Sequence, residues 1–126
     1  RRVGIALQAE HDADALRDSA PLLALWDGAG LSAAAPQPGL AGYGGDVCAL
    51  PTGGFCVSAT RAGVLVFYNA QGAVVNTQPL ASAGALAAQS SHWWAAGAAH
   101  GLSNEATDQP SQAFNHSFRL DNHWLV

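Results

Sequence analysis

The chain of 126 residues contains no Met and no Lys, and only 11% of its residues are charged. Its five cations are all Arg, set against nine acidic residues for a formal net charge of −4. Such a chain has no basic patch, so no nucleic-acid partner is expected. No apolar run approaches the roughly 20 residues of a membrane-spanning helix. Arg1-Arg2 leads directly into a strand-like pattern, with no apolar core of a signal peptide between them. The missing initiating Met and this abrupt start point to a mature or excised piece. Low charge with 49% hydrophobic residues excludes a disordered tail, which needs the opposite balance.

Catalytic and metal signatures are also missing. Ser58, Ser90, Ser91, Ser103 and Ser117 lack the Gly-x-Ser-x-Gly setting of an exposed nucleophile. Gly42-Tyr-Gly-Gly is followed by neither a Lys nor a helix, as a phosphate loop would require. The five His (His11, His92, His100, His116 and His123) show no His-x-x-x-His spacing, and no Cys-x-x-Cys joins them. No cofactor is expected, and an enzyme is the less favoured reading.

What is present is a succession of short apolar runs. Val3 to Gln8, Leu22 to Trp26, Val47 to Leu50, Phe55 to Thr60, Val64 to Tyr68 and Ala73 to Thr77 each read as strands bounded by turn residues. Only Asp12 to Asp18 and Ala81 to Ala88 suggest helix. The first is too short to stand alone, and the second carries Gly84. The chain is therefore expected to be all-β.

A degenerate repeat refines this. Phe55 to Gly63 aligns with Trp93 to Gly101 at an offset of 38, and Ala24 to Gly30 with Val66 to Gly72 at an offset of 42. The first offset, carried backwards, places Val47 to Leu50 over Ala85 to Ala88, and residues 51–54 over 89–92. Four short strands per period of about 40 residues is the pattern of a β-propeller blade. The expectation is about three four-stranded antiparallel blades, part of a larger propeller: a partial blade over 1–40, a blade over 41–81 and a last blade over 82–126. A β-sandwich of seven to nine strands is the alternative.

The remaining candidates are small clusters. Asp121-Asn122-His123 with Trp124 combines a carboxylate, an imidazole and a turn-forming Asn, a set that can contact a ligand or pin a final strand. Glu10, Asp12 and Asp14 offer clustered oxygen ligands for a metal, with the His11 imidazole among them, but the group lacks the order of an EF-hand loop. Cys48 and Cys56 flank a Pro-Thr-Gly-Gly turn. A hairpin loop of odd length would set their sulfurs directly opposite for a disulfide; an even one would put them on opposite faces. Otherwise both are small buried hydrophobes. Trp93 and Trp94 must point to opposite faces of one strand.

Several stretches resemble a family of exported bacterial proteins of unknown function, regarded as seven-bladed propellers of the YVTN and quinoprotein-dehydrogenase-like kind. They are Val3 to Gln8, Pro21 to Leu25, Gly42 to Val47, Phe55 to Thr60 and Leu120 to Trp124. The match covers only the last third of a family member. After the Ser-Ala-Thr position, where relatives carry a charged or Pro-containing turn, this chain has Arg61-Ala-Gly63. The resemblance implies periplasmic export and a link to iron acquisition. Three functions are thus in view: a periplasmic binding or interaction scaffold, a lactonase- or quinoprotein-like enzyme completed by further blades, and a self-assembling module. The partners would be the remaining blades, identical chains or another periplasmic protein.

Overall fold

In a computed structural model, residues 1–10, 12–98, 100–105 and 112–115 are described. The chain is all-β, built from three antiparallel sheets in chain order. The first comprises β1 (Val3–Ala6), β2 (Leu23–Trp26) and β3 (Leu31–Ala33). The second comprises β4 (Val47–Ala49), β5 (Phe55–Ala59), β6 (Val64–Tyr68) and β7 (Val74–Pro79). The third comprises β8 (Leu86–Gln89), β9 (His92–Ala96), β10 (His100–Glu105) and β11 (Gln112–Asn115). Among the described residues, each strand pairs only with its neighbours in sequence. This meander is the plan of a propeller blade and lacks the long Greek-key returns of a sandwich, so the sandwich alternative is set aside.

The sheets stack face on face. Gly4, Ala6, Leu23 and Leu25 share one face of the first sheet, as the register Gly4↔Leu25 and Ala6↔Leu23 requires. Leu23 and Leu25 pack with Phe55, Val57, Val66 and Tyr68 of the second sheet. The opposite face of that sheet presents Cys56, Leu65 and Phe67 to Leu86, Trp93 and Ala95 of the third. The second sheet is therefore covered on both sides, which explains why β5 and β6 read as nearly continuous apolar runs, interrupted by Ser58, rather than alternating ones. Burying each large apolar side chain here contributes about 1.5–3 kcal/mol.

Two turns share one device. Asp27 Oδ1 accepts the N–H groups of Ala29 and Gly30, both at 2.9 Å. Asn69 Oδ1 likewise accepts those of Gln71 at 2.9 Å and Ala73 at 3.0 Å. These side chains close the turns β2–β3 and β6–β7, making β2 the counterpart of β6 and β1 that of β5. The 38-residue offset holds from β5 to β9, but slips by one from β4 to β8. Val47 pairs with Val57, whereas it is Leu86 rather than Ala85 that pairs with Ala95. The cause is a tighter turn: Gln89 and His92 are already paired, leaving only residues 90 and 91 outside the ladder.

The acidic stretch forms a single short helix, α1 (Asp14–Asp18), inserted between β1 and β2. It buries no residue and is tied down by its neighbours: the Asp18 carboxylate accepts the N–H groups of Gly39 and Ala41. The Ala-rich stretch 81–88 is not helical. Its last residues enter β8, because tertiary packing of Ala83 and Leu86 on Phe67 and Trp93 outweighs Ala's helix propensity.

Candidate functional site

An open cleft lies where connections of the first two sheets meet. Asp14, Ala15, Arg17, Asp18, Ala41 and Arg61 line an open cleft of about 610 Å³. α1 supplies four of these residues, the β3–β4 connection supplies Ala41, and the β5–β6 turn supplies Arg61. Close packing of backbones fixes the cleft floor. Gly42 adopts φ +56°, and a Cβ there would meet the Arg17 carbonyl and the Ala20 side chain.

The charges of the cleft are unevenly used. Arg17 pairs with Asp14 on the same helix, three positions away. Asp18 is occupied by the amides of the 39–41 turn. Arg61 has no carboxylate partner among the described residues; its guanidinium rests 4.4 Å from the centre of the Tyr43 ring. The aromatic face holds the cation in place without neutralising it. An anion entering the cleft therefore meets one guanidinium that has no carboxylate partner among the described residues and a second already shared with Asp14.

Of the sequence candidates among the described residues, Asp14 lines this cleft. Asp121, Asn122, His123 and Trp124 are outside the described residues, as is His11. Asp14 of the acidic group belongs to the cleft and is engaged by Arg17, while Glu10 and Asp12 are exposed. Among the described residues, no three His, Cys, Asp or Glu side chains gather to hold a metal ion. No described helix is long and apolar enough to cross a membrane. Trp93 is buried edge-on against Phe67, with ring centroids 5.3 Å apart, and Trp94 stacks on His92 at 5.9 Å. Cys48 and Cys56 stand directly opposite one another, so the hairpin loop has the odd length that sets their side chains on one face.

Arg17, Tyr43 and Arg61 were not singled out as site residues by their sequence setting. Arg17 and Arg61 belong to no motif, and Tyr43 lies in the Gly42-Tyr-Gly-Gly stretch; the convergence of three connections brings them together.

No curated protein and no solved structure matches the chain. A family model described as "Protein of unknown function (DUF1513)" matches residues 1–126. The chain therefore belongs to this family of proteins of unknown function.

Proposed function

We propose that the protein is a propeller scaffold without turnover of its own, which binds a small anionic ligand in the Arg17–Arg61 cleft. The observation that carries this reading is the Arg61 guanidinium, seated on Tyr43 in an open cleft of about 610 Å³ and free of any carboxylate among the described residues. A carboxylate or phosphate group would accept its N–H groups in fork geometry. Calorimetric titration with citrate, succinate and inorganic phosphate tests the idea. Saturable heat with at least one of them, lost in Arg61→Ala, is the expected result. Absence of heat with all three refutes it.

A second observation favours a macromolecular partner that is itself a β-sheet. Val3, Ile5, Trp26 and Leu31 are exposed by 47%, 40%, 46% and 66%. The register Val3↔Trp26 and Trp26↔Leu31 places them on one face of the first sheet. By the strand correspondence, Val3 and Trp26 match Phe55 and Tyr68, which the first sheet covers in the second. We read this face as the seat of another blade, supplied by the same polypeptide or by an identical chain. Light scattering discriminates: a mass that falls to one chain in Trp26→Glu supports seating by identical chains, and a wild-type monomer at all concentrations removes that form of it. Periplasmic export, a seven-bladed parent and a link to iron acquisition rest on the family resemblance, and cell fractionation checks the first of these.

A further inference from the structure

Cys48 and Cys56 are paired directly across β4 and β5. The flanking bonds run from the Ser58 N–H to the Asp46 carbonyl at 3.0 Å and from the Leu50 N–H to the Gly54 carbonyl at 2.8 Å. Counting by twos along each strand, the cysteines occupy a hydrogen-bonded pair of the ladder. Such a pair holds its Cα atoms about 5.5 Å apart, inside the roughly 4.4–6.8 Å span of disulfides. Both side chains leave the same face and reach the cluster of Leu65, Phe67, Leu86 and Trp93. Cys56 is fully buried in that cluster, while Cys48 at its margin is partly exposed. Both are thiols in the structure.

We propose that Cys48 and Cys56 form a redox pair that closes to a cross-strand disulfide by exchange with a low-molecular-weight disulfide. The accessible Cys48 reacts first. Its thiolate attacks one sulfur of the small disulfide, whose S–S bond breaks and releases one small thiolate. Cys56 then gives up its proton and attacks the Cys48 sulfur, expelling the second small thiol. Two protein thiols are oxidised and one small disulfide is reduced to two thiols, which take up the two protons. The new bond staples the first two strands of the second sheet where it meets the third.

Access orders the two steps. The Cys48 thiol is pushed up to about 12 by burial, with the Asp46 carboxylate adding to it, so thiolate is scarce near neutrality. Closure in the folded protein is therefore slower than in the unfolded chain, and the mixed disulfide forms at Cys48 rather than Cys56.

The test is incubation of the folded full chain with oxidised glutathione, followed by acid quench, alkylation in denaturant and intact mass. Wild type is expected to lose both alkylatable thiols and two hydrogens, with no glutathione retained. Cys56→Ser should stop at one glutathione on Cys48, and Cys48→Ser should remain unmodified while folded. Cys56→Ala serves where the serine variant fails to fold by circular dichroism. Two alkylatable thiols in wild type, under conditions that oxidise the urea-unfolded chain, would overturn the proposal. So would glutathione persisting on wild type, because the buried thiol would then have failed to resolve it.

Discussion

The Asp46 carboxylate joins two sheets: its Oδ2 accepts the N–H of Leu86, the first residue of β8, at 2.8 Å. Its Oδ1 accepts the N–H of Val47 at 2.8 Å, and its own N–H donates to the Ser58 hydroxyl at 2.9 Å. A single side chain thus satisfies donors at the start of β4 and the start of β8. Asp46→Ala leaves the Leu86 N–H without its acceptor and should cost about 1–3 kcal/mol. Asp46→Asn keeps one acceptor oxygen and should cost less. The denaturant midpoint measures both, and equal midpoints for Ala and wild type would remove Asp46 from the account of sheet coupling.

Phe67 and Trp93 carry the contact between the second and third sheets, at an interplanar angle of 62°. Phe67→Ala should destabilise by about 3–5 kcal/mol, since the cavity opens between two sheets that are both anchored. Loss of near-ultraviolet circular dichroism at Trp93 accompanies it.

Gly4 of the first sheet lies close against the Phe55 ring of the second. A Cβ there would lie 2.5 Å from Phe55 Cδ1 and 2.7 Å from Cε1. Gly4→Ala is expected to cost about 1–3 kcal/mol through overpacking. Its rescue by Phe55→Leu in a double-mutant cycle checks that the clash is with this ring.

In the reduced protein, stability should fall on the alkaline side. Burial raises Cys48 from 9.0 to about 12 and Tyr68 from 10.0 to about 12, and pushes Cys56 well up. Above about pH 9 the unfolded chain therefore loses thiol protons that the folded chain keeps, and stability declines as pH rises toward 12. Tyr68 adds to the decline above about pH 10. Urea midpoints between pH 8 and 11 should drop, and a flat profile would contradict the burial of these groups.

The β2–β3 and β6–β7 turns should tolerate exchange of their acceptors. Asp27→Asn and Asn69→Asp each preserve the oxygen that receives two N–H groups, whereas either residue changed to Ala should cost about 0.5–2 kcal/mol by analogy with helix caps. Thermal midpoints of the four variants provide the comparison.

Much of the architecture was written locally. Short Val-, Leu- and Phe-rich runs between Gly-containing turns determine strands, because β-branched and aromatic side chains suit a pleated surface and glycine reaches positive φ. Asp27 and Asn69 mark corresponding turns by side-chain chemistry that needs no tertiary partner. The even spacing of Cys48 and Cys56 limited them to one face or to opposite faces, depending on the loop. Three things depended on the folded chain. The turn at residues 90 and 91 shifted the β8 register by one place, since ladder pairing rather than repeat spacing fixes strand phase. Loop length brought the two cysteines face to face. Arg17, Tyr43 and Arg61 met because separate connections converge on one cleft, a relation between distant segments that no local pattern encodes. The absence of Lys and the low charge left few cations to place. The sequence determined that Arg alone supplies them, and the tertiary structure decided that one of these few, Arg61, sits on Tyr43 without a neutralising carboxylate among the described residues.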